Sequence, residues 1–199
     1  MKIKICGLTS SKEAGYLNIN KVDYAGMVLF FPKSKRNIDI KKAEAIRSKL
    51  DKSIKTVAVT VSPDEAQIQA IERSGFDLIQ IHGSIPDELW EKIHIPVLKA
   101  FNVHDLDRLD TYKQNDRICG YLIDASEPGS GKTFDWSIIK NLDMNGRPFF
   151  LAGGLTPDNV ADAVNELHPY AVDVSSGVEY TDRPGKDPSK IGRFVKNCK

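Results

Sequence analysis

The sequence predicts an α/β fold, a single (β/α)8 TIM barrel with eight parallel strands in one domain over residues 1–199. Short apolar segments rich in β-branched residues alternate with longer amphipathic segments along the whole chain. The short segments number eight, and strands that alternate with helices pair in parallel through right-handed crossovers. No Gly- or Ser-rich linker divides the chain. An open doubly wound sheet is the alternative architecture.

The predicted strands are brief and bounded by turn residues, as expected of buried parallel strands. They cover residues 2–6, 24–30, 55–61, 77–82, 97–101, 119–124, 148–152 and 171–175. The predicted helices cover residues 11–20, 41–50, 63–74, 86–92, 104–112, 136–142, 157–167 and 187–197. Two of them are predicted to begin at a proline behind a capping residue, Ser62 or Thr156, and Gly75 is predicted to lie just past a helix end.

The charge balance narrows the class of partner. The chain has 28 Lys and Arg against 27 Asp and Glu, so neither nucleic acid nor an anionic membrane is an expected partner. Its three cysteines are an odd number, which argues against a disulfide framework. The apolar run at the start is too short for a signal peptide, and no segment approaches the roughly 20 apolar residues that span a bilayer. We therefore expect a cytoplasmic protein.

Candidate phosphate-binding glycines follow three predicted strands. In a barrel of this kind the active site lies at the carboxyl ends of the strands, and phosphate commonly binds after the last two. Gly153 and Gly154, then Ser176 and Gly177, hold those two places, and Gly129 and Gly131 follow the sixth strand. Glycine lets the backbone approach an anion closely, although these glycines could also simply form tight turns. The chain lacks Gly-x-Gly-x-x-Gly and a complete P-loop, so no nucleotide cofactor is predicted.

Cys6 and Asp124 are the candidate catalytic residues, because each ends a predicted strand at the same mouth of the barrel. A thiolate is a competent base, and a carboxylic acid at the rim is a competent general acid. The alternatives are a small core cysteine and a turn-forming aspartate. Because their strands are not adjacent, the two side chains could face opposite sides of one substrate.

Two further residues are candidates for substrate binding. Arg36, in the basic loop after the second strand, suits bidentate recognition of a carboxylate, although such a loop is more often a solvated turn. His82 ends the fourth strand, but no second His or Cys lies at ligand spacing from it. A metal site is therefore not predicted.

Several segments resemble those of the phosphoribosylanthranilate isomerases. They are residues 4–9, 31–36, 80–83, 129–136, 152–155, 172–179 and 184–187, in order along nearly the whole chain. The sequence departs from the family pattern at Pro128, where a glycine is expected, and at Phe101, an unusual residue in the fifth strand.

The resemblance implies an Amadori rearrangement of N-(5-phosphoribosyl)anthranilate in tryptophan biosynthesis, without a metal or organic cofactor. It implies that Asp124 is the general acid, the Cys6 thiolate is the base, and Arg36 binds the anthranilate carboxylate. It places phosphate on Gly154, Ser176 and Gly177 with the glycines near residue 130, and His82 beside the substrate. The expected partner is this small phosphorylated molecule, and the expected oligomeric state is a monomer or a homodimer.

Other barrel proteins fit the sequence less well. A histidine-pathway isomerase should have carboxylates as both acid and base, a ribulose-phosphate epimerase needs several metal-binding histidines, and an indole-glycerol-phosphate synthase needs an extra N-terminal segment. A catalytically silent barrel that binds a phosphorylated sugar is the alternative of a different class. It would have little reason to keep both Cys6 and Asp124.

Strand periodicity also predicts an ion pair inside the barrel. Lys4 should point the same way as Cys6, and Asp173 lies on the last strand, which closes against the first. We expect Lys4 and Asp173 to pair beneath the active site, where the buried ammonium would favour the thiolate of Cys6.

Overall fold

Eight parallel strands close into a barrel in the computed structural model, which describes residues 1–124, 137–140 and 142–199. The strands are β1 (Lys2–Ile5), β2 (Tyr24–Leu29), β3 (Asn37–Ile38), β4 (Lys55–Val61), β5 (Leu78–His82), β6 (Val97–Asn102), β7 (Ile118–Asp124), β8 (Phe149–Ala152) and β9 (Ala171–Val174). The order is β1-β9-β8-β7-β6-β5-β4-β2, and pairing of β1 with β2 closes the ring. The short β3 is an addition that pairs with β2 alone. The predicted barrel is confirmed, and the open sheet is wrong.

Helices follow most of the strands. They are α1 (Ser11–Asn20), α2 (Ile40–Arg47), α3 (Glu65–Arg73), α4 (Asp87–Trp90), α5 (Ser137–Lys140), α6 (Val160–Leu167) and α7 (Pro188–Asn197), with 3-10 helices at Val103–Tyr112 and Ser176–Val178. The helix predicted over 104–112 is present, as the 3-10 helix Val103–Tyr112. Among the described residues, no helix has the length and apolarity needed to cross a membrane.

Two of the predicted helix starts are wrong. Ser62 has a left-handed backbone (φ 44°) and belongs to the preceding turn, while Asp64 caps α3 by accepting the N–H of Gln67 at 2.8 Å. The N–H of Thr156 donates to Asn159 Oδ1 at 2.8 Å, so Thr156 precedes the helix and Asn159 stands at its cap. The predicted end at Gly75 is confirmed by its φ of 71° just past α3.

Alternate residues along the strands point into two different apolar layers. One set faces the helices, and the other fills the inside of the barrel with side chains such as Val57, Leu98 and Leu122. Lys4 and Asp173 lie opposite each other in the β1–β9 register, and Lys4 Nζ is 2.9 Å from Asp173 Oδ2. The predicted buried ion pair is confirmed, and it joins the two strands at which the ring closes.

Candidate active site

A cavity of about 580 Å³ opens at the carboxyl ends of the strands. Among the residues predicted from sequence, those that line it are Cys6, Arg36, His82, Asp124, Gly153, Gly154 and Ser176. Gly177 does not line this cavity but follows Ser176 in the same turn. Gly129 and Gly131 lie outside the described residues. The structure therefore brings the candidate base, acid and ligand-binding groups to one space.

Cys6 and Asp124 lie at the carboxyl ends of two strands on different sides of the ring. Cys6 follows β1, and its N–H donates to Val174 O at 2.9 Å, which continues the pairing with β9 by one residue. Gly26 on β2 faces Cys6, and a Cβ there would crowd the Cys6 sulfur and backbone. Asp124 is the last residue of β7, in register with Asn102 and Ala152. The thiol and the carboxyl group line the same cavity.

Burial and nearby charge act in opposite directions on the Cys6 thiol. Burial raises its pKa, Lys4 and Lys186 lower it, and Asp173 raises it further, so the pKa is above its usual value. The predicted effect of Lys4 has the expected sign, but burial outweighs it. The thiol of the ligand-free protein is therefore mainly protonated at neutral pH, and it has two cations nearby that favour the thiolate.

His82 is neutral at physiological pH. Burial lowers its pKa to about 4, although the electrostatic interaction with Asp124 opposes the shift. Gln80 Nε2 is 2.8 Å from His82 Nε2, so the Gln80 amide donates and the His82 proton is assigned to Nδ1. Gln80 Oε1 and Asp173 Oδ1 are buried and have no hydrogen-bond partner in the described part of the chain. Both residues line the cavity, so these oxygens are available to a ligand.

The turns after β8 and β9 form a candidate anion site. Gly153 and Gly154 have φ of 95° and 64°, a backbone that favours glycine. A Cβ on Gly177 would collide with the carbonyl oxygen of Leu155, so the two turns are in direct contact. The N–H groups of Gly154, Ser176 and Gly177 make no hydrogen bond to the described residues. These donors could therefore hold a phosphate, as helix and turn starts commonly do.

A carboxylate of the chain itself contacts Arg36. Glu179 Oε1 is 2.5 Å from Arg36 Nε, and Glu179 Oε2 is 3.1 Å from Arg36 Nη2. Burial raises the pKa of Glu179, but Arg36, Lys186 and Lys35 lower it to about 2 overall. Sequence reasoning did not assign roles to Glu179, Lys186 or Gln80. Their only signal was their presence in segments that resemble the family.

The whole chain matches one protein family. The model of the family described as "N-(5'phosphoribosyl)anthranilate (PRA) isomerase" matches residues 3–197. Two relatives carry the name N-(5'-phosphoribosyl)anthranilate isomerase. The protein of Streptococcus mutans is 38% identical over 200 residues, which is 100% of this chain and 98% of the relative. That of Streptococcus pneumoniae strain G54 is 41% identical over 202 residues, covering 100% of this chain and 96% of the relative.

Solved structures agree with this match. Phosphoribosyl anthranilate isomerase from Thermotoga maritima superposes with a TM-score of 0.88 at 37% identity, covering 100% of this chain and 98% of that one. A phosphoribosyl anthranilate isomerase in complex with reduced 1-(o-carboxyphenylamino)-1-deoxyribulose 5-phosphate has a TM-score of 0.85 at 35% identity, with 100% and 98% covered. Another structure contains monomers generated from the dimeric Thermotoga maritima enzyme, with a TM-score of 0.84, 36% identity and the same coverage.

Proposed function

The chain belongs to the N-(5'-phosphoribosyl)anthranilate isomerase family, and we propose that Cys6 and Asp124 are the base and the acid of its reaction. The protein is an aldose–ketose isomerase of tryptophan biosynthesis. It converts N-(5-phosphoribosyl)anthranilate to 1-(2-carboxyphenylamino)-1-deoxyribulose 5-phosphate by an Amadori rearrangement. The observation that supports the residue assignment best is that both side chains line one cavity, beside open backbone donors.

Ring opening is the first step. Asp124 donates a proton to the ribose ring oxygen as the bond from that oxygen to C1 breaks. The nitrogen lone pair forms the C1=N bond, so the sugar becomes an open-chain Schiff base. A carboxyl group at the rim of a partly closed cavity is suited to this proton transfer.

Proton abstraction is the second step. The Cys6 thiolate takes the proton from C2, and the electrons of that bond form the C1=C2 double bond as the C1=N π electrons return to the nitrogen, which keeps its proton. The enol(amine) then becomes the ketone as C1 gains a proton and the C2 hydroxyl loses one, which forms the C2=O bond. Lys4 and Lys186 lower the pKa of Cys6 and so stabilise the thiolate that this step needs. The step involves no net oxidation of the substrate, so acid and base groups supply its chemistry.

Binding uses both ends of the substrate. The turns with Gly153 and Gly154 and with Ser176 and Gly177 hold the phosphate, and Arg36 binds the anthranilate carboxylate. His82, which stays neutral at pH 7, lies beside the substrate as an uncharged hydrogen-bonding group. The partner is thus a small phosphorylated molecule. We also propose that the protein is cytoplasmic and that it is a monomer or a homodimer.

Complementation of a tryptophan auxotroph tests the function and the assignment together. The wild-type gene should restore growth without tryptophan, whereas Cys6→Ala and Asp124→Asn should not. Growth with both variants would contradict the assigned roles. Failure of the wild type, although the protein is made in soluble form, would contradict the activity itself.

A further inference from the structure

Glu179 lies at the centre of a cluster of cations beside the cavity. Besides Arg36, its carboxylate contacts Lys35 Nζ at 3.1 Å and Lys186 Nζ at 3.2 Å. The side chain of Glu179 is 12% exposed and that of Lys186 is fully buried, whereas that of Lys35 is 73% exposed. The contacts with Arg36 and Lys186 are thus shielded from water, and Lys35 adds a screened charge at the surface.

The cluster carries more positive than negative charge. Three cations surround the single carboxylate of Glu179. Glu13, whose carboxylate lies beside Lys186, is engaged by backbone N–H groups, including that of Lys186 at 2.9 Å. A second anion could therefore enter the cluster without displacing the first.

The contact between Glu179 and Arg36 leaves part of the guanidinium group available. Glu179 occupies the edge formed by Nε and Nη2, which uses two of the five N–H donors of an arginine. The end formed by Nη1 and Nη2 has no partner among the residues that the structure describes. Arg36 lines the main cavity, whereas Glu179 lines a neighbouring space of about 460 Å³ on its other side. Arg36 therefore lies between the carboxylate of Glu179 and the cavity in which a ligand would bind.

The cluster is also connected to the strand end that carries Cys6. Lys186 Nζ donates to Ser175 O at 3.1 Å and to Ser175 Oγ at 3.3 Å, and Ser175 Oγ donates to Cys6 O at 3.0 Å. Gly7, the next residue, has φ of 78°, and a Cβ there would collide with the Arg36 side chain. Arg36 is thus confined between the Cys6 turn and Glu179.

From this geometry we propose that Glu179 and Lys186 are positioning residues for recognition of the substrate carboxylate. Glu179 holds one edge of Arg36 so that its free end faces the cavity and forms a bidentate pair with the aryl carboxylate. Lys186 fixes Glu179 from beneath and supplies buried positive charge. Glu179 therefore supports carboxylate binding instead of competing for Arg36. This inference rests on the proposed function, because it takes the carboxylate from that substrate.

Calorimetry with two ligands tests the inference without turnover. The first ligand is reduced 1-(o-carboxyphenylamino)-1-deoxyribulose 5-phosphate, and the second is the same compound without the carboxyl group. Glu179→Gln should raise the Kd of the first ligand about tenfold or more, since a displaced Arg36 loses charge-assisted hydrogen bonds to the carboxylate. It should change the Kd of the second ligand less than about twofold, because nothing on that ligand meets Arg36.

The other outcomes contradict the proposal. Tighter binding of the first ligand by Glu179→Gln would make Glu179 a competitor for Arg36. An equal rise in Kd for both ligands would show that Glu179 has only a structural role. An unchanged Kd for both ligands would show that Glu179 has no role in binding. If Glu179→Gln does not fold, Glu179→Asp, which keeps the charge but shortens the side chain, should show the same selective loss with a smaller magnitude. Glu166→Gln, at an exposed pair with Lys140, is the matched control and should bind both ligands normally.

Steady-state kinetics separates this inference from the proposed function. Wild type that does not consume phosphoribosylanthranilate would contradict the function. With an active wild type, Glu179→Gln should raise KM about tenfold or more and change kcat much less, since carboxylate binding is shared by ground and transition states. Lys186→Gln should raise KM as well but also lower kcat, because Lys186 stabilises the Cys6 thiolate. A fall in kcat of about tenfold with an unchanged KM would overturn the positioning role and leave the proposed function intact.

Discussion

The Cys6 thiol is predicted to become reactive only as the pH rises. Burial raises its pKa, so only a small fraction of the free enzyme carries the thiolate at pH 7. The rate at which iodoacetamide alkylates Cys6 should therefore rise with pH from 7 to about 9, by up to tenfold per unit while the thiol is mostly protonated. Mass spectrometry of the peptide that contains Cys6, after timed alkylation at each pH, measures this rate. A profile that is flat between pH 7 and 9 would contradict a protonated resting thiol.

Lys99 is predicted to lower stability at neutral pH. It is 2% exposed, its Nζ donates to Ala100 O at 2.8 Å, and burial lowers its pKa to about 8. The unfolded chain, with a lysine pKa of about 10.4, binds more protons, so the free energy of unfolding rises between pH 8 and about 10.4.

Replacing Lys99 by methionine should remove this effect. Lys99→Met should raise the free energy of unfolding at pH 7 by on the order of 2 kcal/mol and reduce its rise between pH 8 and 10. Urea unfolding of both proteins at several pH values provides the measurement. If the wild type and the variant have the same pH slope, the ammonium is not strained by burial.

The sequence pattern predicts some residues of the site and not others. Cys6 and Asp124 could be predicted because each ends an apolar strand, where the fold places reactive groups. Glu179 contacts Arg36 across 143 positions of sequence, and Lys186 follows a turn whose course no local pattern specifies. Their roles depend on how two loops meet, which the spacing of residues within either loop does not determine.

At the scale of elements, strands were predicted more closely than helix starts. Buried strands are short apolar runs, so the sequence pattern and the observed bounds agree within a few residues. Helix caps depend on local backbone geometry: the left-handed Ser62 moves the start of α3 to Glu65, behind Asp64. The 3-10 helix Val103–Tyr112 has a helical sequence pattern that does not distinguish it from an α-helix.

The contact between the turns after β8 and β9 should matter for phosphate binding. In Gly177→Ala, the new Cβ would collide with the Leu155 carbonyl and push the turns apart. Inorganic phosphate should inhibit the wild type competitively, and we expect its inhibition constant to be about tenfold or more higher in Gly177→Ala.

The matched control for this variant is Gly15→Ala in α1. A Cβ at Gly15 meets nothing within 4 Å, and alanine favours a helix by roughly 0.5–1 kcal/mol over glycine. Gly15→Ala should therefore raise the thermal midpoint and leave phosphate inhibition unchanged. Normal phosphate inhibition in Gly177→Ala would show that contact between the turns is not required.

At the scale of the whole molecule, closure of the ring depends on β1, which pairs with both β9 and β2. The Lys4–Asp173 pair lies in the β1–β9 register with almost no exposure of either side chain. Removing one partner would leave the other charge buried, so Lys4→Met should lower the free energy of unfolding by about 3–5 kcal/mol. The double variant Lys4→Met/Asp173→Leu should recover part of that loss. Urea unfolding checks both, and additive losses would contradict a specific pair.

The barrel brings a thiol and a carboxyl group from different strands to one cavity, and we propose that these two groups are the base and the acid of the reaction. The most direct measurement is kcat/KM for fluorescence loss from phosphoribosylanthranilate by purified Cys6→Ala and Asp124→Asn. We expect each value to fall about 10²–10⁴-fold below wild type while both proteins keep the wild-type thermal midpoint within a few degrees. A folded variant of either kind that retains kcat/KM within about twofold of wild type would contradict it.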